Sequence, residues 1–244
     1  DRMIGYFRNR LVAGVNALGG TIDYREYVNV GNAIKGPLAT SQLWKSENYS
    51  AYAENSFYIL PKVALVAGTQ FLYAVRDQRD RFFNDTTVNP FDTQPDDSGR
   101  RTYNLWTPKF GVLWDVDRTW QIFANVSDSA EVPTFDANTF TAPLSSNLKA
   151  QTATTYEVGT RGRRPDFTWD LSIYRAIVRN ELQCLTTSPF SPCTVVNADR
   201  TVHQGVEAGL GLAFLKSVFV QEDRFWFNLA YTYSDFFFDN DPVW

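Results

Sequence analysis

The segment NADRTVHQGVEAGLGLAF, residues 197–214, holds the single histidine of the chain. His203 has Asp199 four residues before it and Glu207 four after. A histidine beside a carboxylate is the usual core of an acid–base or nucleophilic device, so catalysis is the first chemistry to weigh. Spacing argues against it. The apolar residues alternate here, which predicts a β-strand, and residues four apart on a strand share a face yet lie about 13 Å apart. Neither carboxylate can reach His203 across that gap. The chain contains no G-x-S-x-G, G-x-x-x-x-G-K or H-E-x-x-H motif. The expectation is a protein that is not an enzyme, with His203 on a wall.

Alternation also assigns the faces. With Val206, Ala208, Leu210 and Leu212 on the apolar side, His203, Gly205, Glu207, Gly209 and Gly211 fall on the other. In TTYEVGTRG the same reading separates Tyr156, Val158 and Thr160 from Glu157, Gly159 and Arg161. Two segments thus repeat an E-x-G pattern with the carboxylate off the apolar face. The two cysteines, Cys184 and Cys193, bracket LTTSPFSP. Outside the cell such a close pair reads as a disulfide that closes a small loop. Metal binding is the lesser reading, because two thiolates without a nearby histidine leave a zinc site two ligands short. No metal or cofactor is expected.

Period 2 runs through most of the sequence, and nine strands are predicted near 6–18, 46–60, 63–77, 102–115, 119–128, 151–162, 167–180, 199–213 and 224–236. Many exceed the usual globular strand and approach the ~9–11 residues that cross a bilayer at a tilt. The intervening segments alternate long and short, beginning with roughly 27 residues before the second strand and about 2 at Pro61-Lys62. That alternation is the mark of an all-β, antiparallel, up-and-down transmembrane β-barrel, with brief periplasmic turns and extended extracellular loops. A soluble sandwich would not require it. No apolar run is long enough for a transmembrane helix, and the first residues lack the apolar core of a signal peptide. Aromatic residues make up 16% of the chain, which suits the two interfacial girdles of a barrel. A net charge of −4 excludes a broad nucleic-acid surface. Nine strands alone would leave two bare edges in lipid, so residues 1–244 are expected to form part of a larger barrel.

Three stretches in order, WTPKFGVLWDVDRTWQIFANVSDSAEVPTFDA, LKAQTATTYEVGTRG and TVVNADRTVHQGVEAGL, resemble the TonB-dependent outer-membrane receptors. The likeness covers about Asn48 to Tyr233. It implies a segment of a 22-stranded barrel that is closed by an N-terminal plug and driven by the TonB complex. Such barrels import ferric siderophores, cobalamin or similar scarce ligands. The plug and the TonB-contacting box are not found in this sequence, and the last strands of the barrel are expected to be absent. The resemblance makes Glu157, Arg161, His203 and Glu207 candidate lumen or plug contacts.

Ligand contacts are then expected in the external loops, at Tyr24, Arg25, Tyr27 and Trp44 and at Arg101, Tyr103 and Trp106, with Arg100 beside them. Arginine and aromatic side chains suit anionic or aromatic iron chelates. The same residues would equally serve as a membrane girdle, or as contacts to lipopolysaccharide phosphate. The expected partners are therefore outer-membrane lipid and lipopolysaccharide, a plug domain, the TonB complex and a ferric-siderophore-type ligand, with no nucleic acid. A passive porin-like channel, or a receptor for cobalamin, another cofactor or a glycan, is the alternative. Intact mass after thiol alkylation tests the cysteine reading. Two alkylated thiols are expected only after reduction, and alkylation of both without reductant would remove the disulfide.

Overall fold

The structure is a computed structural model that describes residues 2–82, 96, 98–135, 148–186 and 194–239. Ten strands form one antiparallel sheet: β1 (Arg2–Ile4), β2 (Phe7–Asn29), β3 (Lys35–Leu60), β4 (Val63–Asp80), β5 (Gly99–Asp115), β6 (Trp120–Glu131), β7 (Gln151–Arg164), β8 (Phe167–Leu185), β9 (Thr194–Lys216) and β10 (Arg224–Phe238). Each pairs with its neighbour in sequence, and among the described residues the sheet stays open between β1 and β10. Among the described residues no helix is long and apolar enough to cross a membrane, which says nothing of crossing by strands.

Nine of the ten strands correspond to those read from periodicity. The tenth, β1, pairs Ile4 with Phe7 across a turn where Gly5 takes a φ of 61°, and is too short to show a period. The larger difference concerns the expected first loop. Most of it is strand: β2 runs to Asn29 and β3 starts at Lys35, joined through Gly31, Asn32 and Ala33, all with positive φ. Beyond the bilayer neither face must be apolar, so the alternation fades while backbone pairing continues. Connections at 61–62, 116–119, 165–166 and 217–223 lie at one rim, and β4, β6 and β8 end at the other.

Register sorts the two faces. One row across β2–β10 reads Arg10, Ser56, Val66, Gly111, Asn125, Glu157, Tyr174, Gly205 and Ser234. The adjacent row reads Asn9, Phe57, Leu65, Val112, Ala124, Val158, Ile173, Val206 and Tyr233. The first is the lumen wall and the second the lipid face. At the end of the apolar row, Asn9 and Asn55 exchange amide hydrogen bonds of 2.9 and 3.1 Å, so each satisfies the other.

Aromatic rings bound the apolar band on both sides. Trp114 and Trp106 mark its limits on β5, about 27 Å of strand apart. At a barrel's tilt that covers most of a band ~25 Å tall. At the short-turn rim, the indole N–H groups of Trp120 and Trp169 both donate to Thr160 Oγ1, at 2.8 and 3.5 Å. At the other rim Tyr49 and Tyr73 stack at 6.4 Å. The β9–β10 turn is fixed by Asp223, which accepts the backbone N–H groups of Val218, Phe219 and Val220. Those bonds, the Phe219 N–H foremost, hold its carboxyl below the usual carboxylate range.

The glycines of β9 differ in what surrounds them. A Cβ at Gly205 would fall on the Tyr233 carbonyl oxygen and within 2.9 Å of Tyr174 Oη, whereas one at Gly209 would meet Asp170 Cβ at an ordinary 3.8 Å. Gly205→Val is expected to cost about 1–3 kcal/mol through overpacking, and Gly209→Ala far less. Refolding into lipid vesicles, followed by heat-modifiable electrophoretic mobility, checks the difference. Equal folded yields for both variants would contradict it.

Candidate functional site

The candidate functional surface of this sheet is its lumen wall, and the upper part forms around Trp44. Its indole is 6% exposed and is stacked between Tyr24, at 4.8 Å, and Phe135, at 5.5 Å. Phe135 belongs to the segment after β6, where Val132 and Pro133 are also buried. Arg76 lies beside this stack at 3% exposure, donating to Pro133 O at 3.0 Å and to Asn48 Oδ1 at 2.9 Å. Just before β7, Leu148 is buried, and its carbonyl accepts from Tyr103 Oη at 3.3 Å and Arg101 at 3.5 Å. Both stems of the β6–β7 connection are therefore fastened to the inner wall of β3–β5.

This geometry divides the residues expected to contact ligand. Tyr24, Trp44, Arg101 and Tyr103 come together on the lumen side. Trp44, however, offers neither ring face, because both are covered. Arg25 falls on the outward side of β2 and is paired with Asp23 at 3.0 Å. Tyr27 sits under Lys35, whose Nζ is 3.5 Å from the ring centroid. Trp106 is 70% exposed and shares the outward row with Phe71, the girdle position weighed as its alternative. Arg100 is also outward, in register with Asp77. Strand alternation is the reason for Arg25, Arg100 and Trp106, and reading residues 19–45 as loop concealed it for Arg25. Arg76 and Asn48 were missed, although Arg76 is in phase with Gln70, Leu72 and Ala74 on the lumen side of β4.

Lower on the wall, Glu157 accepts from Asn125 Nδ2 at 2.9 Å. Arg161 Nε donates to Gln121 Oε1 at 2.8 Å, and Gln121 donates in turn to Asp115 at 2.8 Å. Asp115, Gln121 and Arg161 border an open groove of about 670 Å³ with Gly209, Gly211 and Asn228 on its far side. Glu207 stands between Ser172 and Thr232, exposed and without a hydrogen bond among the described residues. Glu54 and Lys109 form an ion pair of 3.0 Å across the same wall.

His203 has neither Asp199 nor Glu207 as its partner. Its Nε2 lies 3.4 Å from Glu181 Oε1 and 3.4 Å from Thr201 Oγ1, and its ring stacks on Phe236 at 4.2 Å. Glu181 follows Asn180, whose φ is 52°. Thr201 and Glu181 also bond each other directly. Both partners meet the same ring nitrogen, and Thr201 is buried at 3% exposure. A relay needs the orienting acid on the opposite nitrogen from the nucleophile, so this cluster is a wall contact. Cys184 lies near the outer end of β8 and is not a free thiol, while Cys193 lies outside the described residues. Among the described residues no three His, Cys, Asp or Glu side chains converge as metal ligands.

Arg76→Met would leave the buried Pro133 carbonyl without its charged donor, at a cost of about 1.5–3 kcal/mol. Faster limited proteolysis between residues 132 and 150 is expected, with the rest of the sheet still resistant. An unchanged cleavage rate would show that Arg76 does not hold this connection.

The family model "TonB dependent receptor-like, beta-barrel" matches residues 3–243. The chain is 23% identical to the vitamin B12 transporter BtuB of Vibrio vulnificus over 193 residues, covering 70% of this chain and 31% of that protein. Among solved structures it resembles the ferric citrate transporter FecA, with a TM-score of 0.71 at 16% identity. The ferric yersiniabactin uptake receptor FyuA from Yersinia pestis follows, with a TM-score of 0.70 at 14% identity. Each match covers 96% of this chain, and 34% and 33% of the respective receptor. The chain thus spans about a third of the length of these relatives. With the open up-and-down sheet and its polar lumen wall, the match over nearly every residue shows that this chain belongs to the TonB-dependent receptors and forms part of their outer-membrane β-barrel.

Proposed function

We propose that this barrel segment serves the active, TonB-dependent import of a scarce ligand across the outer membrane, with a ferric siderophore as the first substrate class. The observation that carries the reading is the lumen wall. It stays polar along its length, and its outer end gathers Arg101, Tyr103 and Tyr24 over a rigid base of Trp44 and Arg76. Guanidinium and phenol groups suit an anionic, aromatic iron chelate through charge-assisted bonds and stacking. Binding would be followed by passage through a gated lumen, with no covalent chemistry on the ligand.

A plug would gate that lumen and dock on the wall. Glu207 is the carboxylate best placed to receive a plug arginine, since it is exposed and has no wall partner. Glu157 and Arg161 would contribute less, being tied to Asn125 and Gln121. Cobalamin import is the second reading, favoured by the likeness to BtuB. A passive channel would use the same polar wall without an energy source.

Uptake of labelled ferric siderophores and of labelled cobalamin, in cells carrying the full-length gene with and without TonB, separates these readings. Ferric-siderophore uptake that disappears without TonB is expected, and Glu207→Gln should lower it several-fold at equal surface abundance. Cobalamin uptake alone would replace the substrate class. Uptake that continues unchanged without TonB would overturn active transport.

A further inference from the structure

We propose that His203 and Glu181 are positioning residues whose contact tightens as the external medium acidifies. Through Asn197 they fix the stem at Lys149, which presents the Leu148 carbonyl to Arg101 and Tyr103. The inference rests on the reading of the outer lumen as the ligand-binding end, and it makes the order of that end depend on external pH.

Geometry supplies the link. By position in β8, Glu181 is in phase with the outward Arg175 and Arg179. The left-handed backbone at Asn180, with a φ of 52°, instead brings its carboxylate to the lumen side. There Oε1 lies 3.4 Å from His203 Nε2, and Oε2 accepts from the Thr201 hydroxyl. The Asn180 carbonyl accepts from Asn197 Nδ2 at 2.8 Å, and the same nitrogen donates to Lys149 O at 3.1 Å. Asn197 Oδ1 accepts the Lys149 N–H at 2.8 Å, so one side-chain amide ties β8 to the stem before β7. The preceding carbonyl, that of Leu148, is the acceptor for Arg101 and Tyr103. From His203 to the candidate ligand wall, each step is a hydrogen bond, an ion-pair contact or a covalent neighbour.

Charge supplies the switch. Histidine is the side chain whose charge ordinarily changes between about pH 5 and 8. A neutral ring offers Glu181 an ordinary hydrogen bond, whereas an imidazolium offers a charge-assisted one, roughly twice as strong. The contact therefore strengthens as pH falls and weakens as it rises. The surroundings leave Glu181 as the counter-charge. Asp199 and Glu207 share the face of His203 on β9 but lie about 13 Å away along the strand. Tyr174 is the other titratable group on the facing side of β8, one row from Ala176, which pairs with His203. On β10 the facing residues are Phe236 and Ser234, while Asp235 is turned outward to Gln204 and Asp239 to Arg200. Without the imidazolium charge, Thr201 is the main hold on Glu181 among the described residues. A residue other than glycine prefers negative φ, so Asn180 opposes that hold. Return of Glu181 to the face of Arg179 would rotate the Asn180–Glu181 peptide and withdraw its carbonyl from Asn197. Two arrangements of one peptide unit are the element through which a charge at His203 can bias the stem.

The test is hydrogen–deuterium exchange of the full-length receptor in lipid nanodiscs, read at the Lys149 amide and corrected for intrinsic exchange at each pH. Protection in the wild type should be about two- to fivefold greater at about pH 5.5 than at about pH 7.5. His203→Gln and Glu181→Gln should each erase that difference, and the two together should do no more than either alone. His203→Lys, which keeps a cation at both pH values, should show the higher protection at both. Asn197→Ala should lower protection and remove the difference, whereas Asp199→Asn should keep it. Heat-modifiable mobility verifies folding, and if His203→Gln fails to fold, Glu181→Gln carries the same test. The proposal is overturned if a folded glutamine variant keeps the wild-type difference, or if Asn197→Ala leaves it in place. Loss of the difference in Asp199→Asn would assign it to another carboxylate and overturn the proposal as well. The amide readout needs no ligand, so its failure would leave the import reading standing. Failure of TonB-dependent uptake would remove that reading without altering the exchange result.

Discussion

A hydrocarbon layer offers no partner to a backbone N–H or C=O, so each such group must be satisfied within the protein. Every other feature of this sheet follows from that constraint. It forces all ten strands into one uninterrupted antiparallel ladder in sequence order, and it leaves β1 and β10 as edges that other strands must cover in the bilayer. It also makes side-chain alternation obligatory. Once neighbouring strands are in register, an apolar row such as Val112, Ala124, Val158, Ile173 and Val206 must lie beside a polar one. A one-residue slip of β7 or of β9 would carry Glu157 or Glu207 into lipid.

Where this constraint acts, the residues announce the fold. Within the bilayer the alternation of RFWFNLAYTYS or WQIFANVS gives both strand and facing, and the two E-x-G carboxylates lie on the polar side as that phase requires. Outside the bilayer the signal weakens. β2 and β3 continue far past the tyrosine ring with mixed residues on both faces, and such residues look like loop. Arg25 was read as loop for that reason, while its phase turns it outward; Trp106 lies in a strand legible from its alternation, and its outward phase matches the girdle position given as its alternative. The partner of His203 was hidden for another reason. Glu181 is distant in sequence, and the left-handed backbone at Asn180 precedes it, so neither spacing nor alternation points to the contact.

Burial on the lumen side has a different logic from burial in a globular core. Few side chains are fully enclosed, and one group of them gathers where the β6–β7 connection returns to the wall: Trp44, Ala74, Arg76, Val132 and Leu148. A guanidinium withdrawn from water is costly unless its hydrogen-bonding capacity is used. Arg76 meets that condition with the carbonyls of Pro133 and Val75 and the amide oxygen of Asn48. None of these acceptors is a carboxylate, so the positive charge is held without being neutralised.

That last point bears on how the outer end of the lumen can recognise anything. Loops generally carry specificity at the expense of order, since an adaptable segment must be immobilised when it binds. Here the rings of Tyr24, Trp44 and Phe135 and the donors Arg76, Arg101 and Tyr103 bind the ends of a long connection to strands that are themselves fixed by the barrel. The orientation of these side chains is set by the wall itself, and the Arg76 guanidinium keeps its charge there with neutral acceptors. The connection between residues 135 and 148 can then vary in sequence without disturbing the strands beneath it. Below that end the wall carries glycines and small polar residues. Under the proposed import, selectivity and passage fall to different residues of the same strands, separated by height along the barrel.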